Sequence, residues 1–240
     1  MEYNLKFLRY NERSILIEWP AIIGEIILKS ILNYKKRIQN KYIKQKVDII
    51  NTYSSILIIY DFTIDNLNDE IFALKLLYEG EKSFYEIKSK TWEIPVCYDT
   101  EFGFDLEQFS KHKELSESEV IELHTKPIYK VYFIGFLPGF LYLGGLDSKL
   151  FLDRKSTPNL NVKKGSVAIG GKQTGIYPQD SPGGWHVIGK TPIKLFDINQ
   201  NPPCLIQSGD SVKFVSVDKS EYHDIEERIA KSSFQLNPVL

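Results

Sequence analysis

The sequence predicts a small α+β N-terminal domain, residues 1–95, followed by a mainly β barrel domain, residues 96–240. Strand-like and helix-like segments alternate in the first part, as they do in a compact α+β domain. Glycine is rare there, because 11 of the 15 glycines lie between Gly135 and Gly189. In that later part short strand-like runs are joined by turn residues, which favours a barrel or a closed sandwich.

The first part is predicted to follow the order β-β-α-β-β-α-β. YNLKFLRY and SILIEW alternate like strands, with NER as the turn between them. IIGEIILKSILNYKKRI repeats apolar residues at helical spacing and ends in a basic turn, which suits the helix dipole. VDIINT and SILIIYDF are two more strands, and KTWEIPV is the last. Between them DNLNDEIFALKLLYEGE forms a helix that begins near Asn66 or Asn68 and ends near Gly80.

The second part begins with a short helix. LSESEVIELH places Ser116 and Glu119 at the spacing of a capping box, so the helix starts there and ends near His124. The strands expected after it are YKVYFIGF, GSVAIGG, WHVIG, IKLFDI, CLIQ and DSVKFVSV. Residues 207–210 form a hairpin connection, and EYHDIEERIA is a terminal helix.

Composition argues against several classes of function. Lys and Arg number 30 against 31 for Asp and Glu, so no net field attracts nucleic acid or an acidic membrane. No run of about 18 apolar residues is present, and MEYNLKFLRYNERS lacks the apolar core of a signal peptide. Cys97 and Cys204 are too few for a disulfide framework or a structural zinc site. We expect both to be small core residues, and the protein to reside in a reducing cytoplasm.

Three common kinds of site do not match the motifs. In GSVAIGGKQT a Walker loop would need glycine at Ser166 and a hydroxyl residue at Gln173, and TGIYPQDSPGG cannot open a helix. The four histidines lack metal-ligand spacing, so no metal site is predicted. No G-x-S-x-G elbow is present. A Ser-His-Asp triad that does not use this motif is left as an alternative.

Two stretches rich in glycine and proline carry the main candidates. FIGFLPGFLYLGG is expected to be a tight barrel corner, with Phe133, Phe140 and Leu143 filling it. GKQTGIYPQDSPGGWHVIGKTP adds many polar side chains to its turns. Burying these polar tips without partners is costly, so we expect them to line a wet or ligand-filled cleft. They are Lys172, Gln173, Tyr177, Ser181, Trp185 and His186.

Two further residues have alternative interpretations. Arg154, in LDRKSTP, either clamps a carboxylate or phosphate through two hydrogen bonds or is an exposed loop cation. His124 lies where a helix is predicted to end, a position that stabilises a protonated imidazole. A structural role is therefore favoured for His124 over a binding role.

Four long segments are specific enough to indicate a family. They are VCYDTEFGFDL, LHTKPIYKVYFIGFLPGFLYLGGL, GSVAIGGKQTGIYPQDSPGGW and IGKTPIKLFD. These segments resemble the family of the 5-oxoprolinase B subunit (PxpB), also known as the first subunit of allophanate hydrolase or the KipI kinase-inhibitor family. The likeness is dense from about Ile94 to Val217. It implies that the barrel is cyclophilin-like, which does not imply prolyl isomerase activity.

The resemblance implies a component of ATP-dependent 5-oxoprolinase that is inactive alone. Its implied partners are the C subunit, which is a KipA-like paralogue, and the A subunit, which is a LamB/YcsF-like protein. The three together convert 5-oxoproline to glutamate. ATP phosphorylates the lactam oxygen to make a leaving group, with Mg²⁺ as a helper ion. The implied catalytic residues are Arg154, Lys172 and Gln173. The implied substrate- or ATP-binding residues are Tyr177, Ser181, Gly183, Gly184, Trp185, His186 and His124.

The resemblance leaves two other functions open. One is KipI-like inhibition of a sporulation-type histidine kinase. The other is a carboxyltransferase component of a urea or allophanate pathway that depends on biotin. Trp185 has an alternative role as well, as an exposed anchor for the partner protein.

One departure from the family pattern concerns a cation. A second Pro-Arg pair is usual in the family, whereas this chain has Pro158-Asn159 there, so one guanidinium of two is missing. Lys155, Lys163 or Lys164 would have to compensate. Lysine cannot reproduce the two parallel hydrogen bonds of arginine, so activity or specificity is expected to differ.

Overall fold

A computed structural model describes residues 3–43, 47–80 and 88–239. They form two compact units, of which one ends at Lys88 and the other begins at Ser89. The sequence analysis drew its boundary after residue 95, which falls inside strand β5 (Thr91–Cys97). That strand lies in the second unit, because it pairs along its whole length with strand β13 (Ser211–Val217) of the barrel.

The first unit is a four-stranded antiparallel sheet with two helices, in the strand order β1-β2-β4-β3. The strands are β1 (Lys6–Asn11), β2 (Ser14–Glu18), β3 (Val47–Asn51) and β4 (Ser55–Tyr60), and the helices are α1 (Glu25–Lys41) and α2 (Leu67–Glu79). Asn66 caps α2, since its side-chain oxygen accepts the amides of Asn68 and Asp69. These elements agree with the prediction for the first part, except that its last strand belongs to the barrel.

The core of the first unit lies between the sheet and the helices. Helix α1 places Ile27, Ile31 and Ile38 on one face, where they meet alternate residues of the strands. Full burial of one such side chain contributes about 1.5–3 kcal/mol. The apolar periodicity of the sequence therefore selects the face that packs.

The second unit is a closed barrel with strand order β10-β7-β6-β13-β5-β12-β9. The barrel confirms the predicted combination of an α+β part and a mainly β part. Its other strands are β6 (Tyr129–Ile134), β7 (Leu141–Gly144), β9 (Ser166–Gly170), β10 (Gln173–Ile176) and β12 (His186–Lys190). A separate ribbon pairs β8 (Asn159–Val162) with β11 (Ser181–Gly183).

Helices accompany the barrel strands. They are α3 (Leu106–Lys113), α4 (Glu117–Thr125) and α5 (Lys219–Ala230), with a short 3₁₀ turn at Ser148–Leu150. Ser116 and Glu119 form the predicted capping box of α4. No helix among the described residues is long and apolar enough to cross a membrane.

Two predicted barrel strands are wrong. IKLFDI and CLIQ form no strand, although Ile193, Leu195 and Ile206 are buried in the barrel core. Their apolar character reflects burial of an irregular segment, which periodicity alone cannot distinguish from a strand. Conversely, β7 and β10 lie in stretches that the sequence predicted to be turns. Phe140 and Leu143 are buried, as expected for the corner.

Candidate functional site

The candidate site is built around residues 152–157, which we call the 152–157 segment. Backbone hydrogen bonds join Leu152 and Gly171 in both directions, with N···O distances of 3.1 and 2.7 Å. The amide of Lys155 donates to the carbonyl of Gly184 at 2.7 Å. Nε2 of His186 lies 2.9 Å from the carbonyl oxygen of Asp153. These bonds hold the segment against both ends of the stretch from 171 to 186.

The bond to Asp153 fixes the tautomer of His186. A carbonyl oxygen only accepts, so Nε2 of His186 carries the proton and Nδ1 is left as an acceptor in the neutral ring. The ring of Phe109 packs edge-on against this imidazole, with centroids 5.7 Å apart. His186 therefore presents an oriented proton acceptor beside the 152–157 segment.

Arg154 lies over the indole of Trp185, with Cζ 5.6 Å from the ring centroid. Such a contact contributes about 0.5–1 kcal/mol at an exposed site. No carboxylate of the described residues lies within 4.0 Å of this exposed guanidinium. The guanidinium makes no hydrogen bond to another described residue, so its N–H groups stay available to an anion. Arg154 is thus a cation that lies against a buried ring and has no counter-ion among the described residues.

Tyr177 and Trp185 do not line an open cleft, contrary to the expectation from sequence. They are only 3 % and 5 % exposed, and both rings pack against Phe140, with centroids 5.7 and 5.6 Å away. Burial raises the pKa of Tyr177, and a hydrogen bond with the backbone of Trp185 partly offsets that rise. The hydroxyl of Tyr177, which was expected to need a ligand as its partner, therefore has a backbone partner instead. The alternative of Trp185 as an exposed partner anchor is wrong for the same reason.

Gly183 and Ser181 belong to the β8–β11 ribbon beside this aromatic cluster. A Cβ on Gly183 would lie 2.2 Å from the hydroxyl oxygen of Tyr177, so only glycine fits there. The hydroxyl of Ser181 is buried and has no hydrogen-bond partner among the residues described. In the ribbon Ser181 pairs with Val162, and Gly183 pairs with Asn159. Asn159, which replaces the arginine usual in the family, is thereby a strand residue.

Lys172 and Gln173 follow the pair formed by Leu152 and Gly171. The exposed ammonium of Lys172 lies 6.0 Å from the ring centroid of Phe151, the residue just before the 152–157 segment. Half-buried Gln173 opens β10 and pairs with Gly170. The structure thus brings Lys172 to the start of the segment whose middle carries Arg154.

A pocket of about 260 Å³ adjoins the segment on the side of α3. It is lined by Gln108, Phe109, His112, Leu152, Lys155, Ser156, Thr157 and His186. Gln108 and His112 are not among the site residues predicted from sequence, because α3 was not predicted. Leu106 and Phe109, three residues apart and both buried, are the helical signal that could have found them.

Lys155 is the most constrained cation of the site. Its Nζ lies 2.6 Å from Oδ1 of Asp105, and Oδ2 of Asp105 accepts the amide of Val187 at 2.7 Å. Both residues are largely buried, and every charge has a hydrogen-bonded partner, the condition under which a buried ion pair is tolerated. Lys155 therefore braces the segment and cannot serve as a free replacement for the missing guanidinium.

His124 does not belong to this site. It is 0 % exposed in the barrel interior, with Nδ1 2.7 Å from the hydroxyl of Tyr98 and Nε2 2.8 Å from Oγ1 of Thr174. The Thr174 hydroxyl donates to the carbonyl of Ala168 at 3.1 Å, so it accepts from Nε2 of His124. Burial lowers the pKa of His124 to about 3, so the imidazole is neutral. The structural role favoured by the sequence fits, whereas its proposed cause, a protonated ring at a helix end, is wrong.

Metal and thiol chemistry have little support in the described residues. Within them, no group of three or more His, Cys, Asp or Glu side chains is placed to hold a metal ion. Cys97 and Cys204 are buried and free, in agreement with the prediction that they are core residues. Burial raises the pKa of Cys204 to about 11, so its sulfur is a protonated thiol at neutral pH.

Comparison with known families assigns the fold to a class of domains. The family described as carboxyltransferase domain, subdomain C and D, matches residues 5–206. Within this class the chain belongs to the family of 5-oxoprolinase B subunits. It is 50 % identical over 143 residues to the 5-oxoprolinase B subunit of Bacillus subtilis, covering 60 % of each chain. The Haemophilus influenzae protein of that name is 43 % identical over 169 residues, which cover 70 % of this chain and 78 % of the relative.

The relative from Escherichia coli O157:H7 extends the match further. This 5-oxoprolinase B subunit is 40 % identical over 208 residues, which cover 85 % of this chain and 95 % of the relative. A weaker likeness joins the chain to urea amidolyase of Lachancea kluyveri, 29 % identical over 189 residues, 65 % of this chain and 10 % of that protein. Among these relatives, the 5-oxoprolinase B subunits are more similar to this chain than urea amidolyase is.

Solved structures show the same fold. TTHA0988 superposes with a TM-score of 0.74 at 30 % identity, over 86 % of this chain and 40 % of that chain. PH0987 of Pyrococcus horikoshii is 40 % identical, with a TM-score of 0.55, over 90 % of this chain and 100 % of its own. Urea amidolyase of K. lactis gives a TM-score of 0.80 at 18 % identity, over 98 % of this chain and 16 % of that protein. At that identity the last comparison shows the fold alone.

Proposed function

We propose that this chain is the B subunit of an ATP-dependent 5-oxoprolinase, which acts with the A and C subunits to convert 5-oxoproline to glutamate. The observation that carries the proposal is 40 % identity over 95 % of the length of the Escherichia coli protein of that name. The geometry of the 152–157 segment supports it, because cations and hydroxyls surround one stretch of backbone. The chain alone is expected to be inactive.

The reaction needs an anion site beside an activated amide. A lactam carbonyl is a poor electrophile, and ATP, when bound, supplies the phosphoryl group that turns the lactam oxygen into a leaving group. Arg154 presents in-plane N–H donors that match a carboxylate or a phosphate. Lys172 adds a compact positive charge at the start of the segment. The two cations thus hold and orient negative charge while water is brought to the carbonyl carbon.

The side chains around the small pocket complete this assignment. Ser156 and Thr157 offer hydroxyl donors, and Nδ1 of His186 is an acceptor able to take a proton from water. The donor set of Arg154, Lys172, Ser156 and Thr157 fits the phosphates of ATP. Mg²⁺ bound together with ATP would neutralise charge on the phosphates, while Arg154 and Lys172 would hold them.

Reconstitution tests the proposal directly. The purified chain is mixed with the A and C subunits from the same source, 5-oxoproline, ATP and Mg²⁺, and glutamate and ADP are measured. Glutamate should form only in the complete mixture, and omission of this chain should abolish it. The corresponding Escherichia coli proteins serve as the positive control. Absence of glutamate from the complete mixture, with the control active, would refute the proposal.

A second candidate function is a carboxyltransferase component acting on urea. The family description and the likeness to urea amidolyase favour it. It is tested by supplying a carboxylated biotin carrier and urea to the complex and measuring carboxyl transfer. Transfer without any glutamate formation from 5-oxoproline would replace the first function by the second.

A further inference from the structure

A second and larger pocket, of about 470 Å³, lies at the other end of strands β9 and β12. In the β9–β12 pairing His186 is opposite Ile169, whereas Lys190 is opposite Ser166, four residues further along β12. We call this the basic pocket and define it by Lys163, Lys164, Lys190, Asp180, Tyr222 and Glu226. It is a site apart from the Arg154 guanidinium and the His186 imidazole.

The charges of the basic pocket do not cancel. Oδ2 of Asp180 lies 3.0 Å from Nζ of Lys163, and Oδ1 accepts the amide of Lys164 at 2.8 Å. Glu226 faces its own helix neighbour His223 at 3.3 Å. Both carboxylates therefore already have partners. Within the described residues no carboxylate lies within 4.0 Å of the ammonium group of Lys164 or Lys190. The pKa of Asp180 is lowered mainly by its bonds to the Lys164 amide and the Lys163 ammonium, and Lys190 contributes from further away.

The backbone holds these two lysines in place. Gly165, at φ +83°, donates its amide to the carbonyl of Tyr177 at 2.7 Å and accepts the amide of Thr191 at 2.9 Å. A Cβ on Gly165 would lie 2.4 Å from the Thr191 carbonyl oxygen and 3.5 Å from Cγ of Lys190. The stem of Lys190 thus packs directly on the residue that follows Lys164. Glycine is required there, and the close packing sets the two side chains at one rim.

The floor of the basic pocket is apolar and rigid. Tyr222 is buried, and its ring lies against Phe102 with centroids 4.4 Å apart. Nζ of Lys190 lies 5.7 Å from the same Phe102 ring, which restricts the ammonium group. Ile193 is buried beside them. An organic group in the pocket would therefore contact buried apolar side chains close to the lysines.

We propose that the basic pocket binds a small molecule that carries a phosphate group. Lysine binds phosphate as a compact point charge, and among the described residues no arginine lines this pocket to favour a planar carboxylate. The volume lies within the range of about 300–1,000 Å³ typical of small-ligand sites, so it exceeds the need of a lone phosphate ion. Lys164 and Lys190, which form no ion pair within the described residues, take the phosphate at the rim, and the apolar floor takes the remainder.

Pyrophosphate is the probe for the cation rim, and isothermal titration calorimetry at low ionic strength is the measurement. Saturable binding is expected on the wild-type chain, with affinity that falls as sodium chloride is raised. Because the Arg154 site is also proposed to hold phosphates, the basic pocket is identified by the binding that persists in Arg154→Gln. Lys164→Glu should weaken binding at least about tenfold, which corresponds to about 1.4 kcal/mol. The side chain is exposed, so this variant should keep the fold, and its thermal unfolding midpoint checks that. Lys190→Gln should weaken binding in the same direction.

The matched control is Lys126→Glu, an equal charge change at an exposed lysine that ends α4. It should bind pyrophosphate as the wild type does. Arg154→Gln should also retain binding, which separates this pocket from the site of the proposed 5-oxoprolinase reaction. The proposal is overturned by absence of saturable binding, by equal losses in Lys164→Glu and Lys126→Glu, or by loss in Arg154→Gln alone. Equal affinity for citrate, a carboxylate anion, would overturn the preference for phosphate.

Discussion

Nζ of Lys155 lies 2.6 Å from Oδ1 of Asp105, although the two residues are 50 positions apart in the chain. The pair joins the start of α3 to the 152–157 segment, and the second carboxylate oxygen of Asp105 reaches the amide of Val187 in β12. Three separate parts of the chain thus meet at one carboxylate. The position of the segment that carries Arg154 depends on this contact.

The first prediction concerns the stability of that contact. Asp105→Ala leaves a largely buried ammonium group and the Val187 amide without partners, so it should lower the free energy of unfolding by about 3–5 kcal/mol. Urea denaturation followed by circular dichroism measures the change. Asp180→Ala breaks an exposed ion pair with Lys163 and should lower the free energy of unfolding far less than Asp105→Ala does. Similar losses in both variants would show that burial does not set the strength of the Asp105–Lys155 pair.

The second prediction concerns the two cations proposed to hold substrate. Arg154→Ala should lower turnover of the reconstituted complex about 10²–10³-fold if its donors stabilise developing charge. Lys172→Ala should lower turnover in the same direction, and neither change should shift the thermal unfolding midpoint much, because both side chains are exposed. Lys149→Ala, at an exposed lysine outside the site, is the control. Wild-type rates in both site variants would place the reaction elsewhere.

Arg154→Lys refines the second prediction. Lysine keeps the positive charge but lacks the planar pair of donors, so turnover should recover only in part. Full recovery would mean that charge alone matters at this position. No recovery would mean that the fork of N–H donors, or its stacking on Trp185, is the essential feature.

The third prediction concerns the close approach of Gly183 to Tyr177. Gly183→Ala places Cβ against the Tyr177 hydroxyl, and such overpacking costs about 1–3 kcal/mol. Tyr177→Phe removes that oxygen but keeps the ring carbons Cζ and Cε1, which would lie 2.7 and 2.8 Å from the added Cβ, so the cost of Gly183→Ala should shrink only in part in the Tyr177→Phe background. Thermal unfolding of the four proteins in this double-mutant cycle measures the coupling. Gly184→Ala, whose nearest atom would lie 3.5 Å away, is the matched control.

Additive effects of Gly183→Ala and Tyr177→Phe would contradict this steric explanation. A large destabilisation by Gly184→Ala would also count against it, since it would indicate a general intolerance of side chains in this turn. The expected result is that Gly183→Ala destabilises the Tyr177→Phe protein less than it destabilises the wild type, and that Gly184→Ala has little effect.

Local sequence patterns predicted the regular elements well. Helix α4 was found from its capping box, and α2 from a cap at Asn66 or Asn68, of which the structure has Asn66, and from a stop near Gly80. These signals depend on neighbours in sequence. Strands β7 and β10 were missed because glycine-rich strands pair through backbone groups and carry little periodic pattern. For the segment after Thr191 the error was the opposite one, because strands were predicted where the structure has an irregular segment. Its apolar residues are buried, and from sequence they look like the residues of a strand.

Sequence predicted several of the side chains in the candidate site but not the contacts that position them. The sequence singled out Arg154, Lys172 and His186, but the contacts that place them join residues far apart, such as His186 and Asp153, 33 positions away. Tyr177 was misjudged because its hydroxyl is satisfied by a backbone group in the same loop. The sequence identifies a polar side chain, but the backbone group that becomes its hydrogen-bond partner is known only once the fold is known.

The fourth prediction concerns pH and the buried ring of His124. The pKa of His124 is about 3 in the folded protein and about 6.5 in an unfolded chain. The unfolded state therefore binds an extra proton between these values, so the stabilisation by the neutral ring is complete above pH 6.5 and is lost as the pH falls towards 3. The expected slope is up to about 1.4 kcal/mol per pH unit from this one group.

Comparison with a variant isolates that slope from the carboxylates, which also titrate in acid. The free energy of unfolding is measured from pH 7 to pH 4 for the wild type and for His124→Gln. His124→Gln should be less stable at pH 7, because Tyr98 and Thr174 lose the ring that bridges them, and the difference should narrow steadily as the pH falls. His112→Gln, at an exposed histidine of α3, is the control and should keep the wild-type profile. A constant difference between wild type and His124→Gln across the range would mean that the barrel interior admits the protonated imidazole, contrary to the closed hydrogen-bond chain from Tyr98 to Ala168.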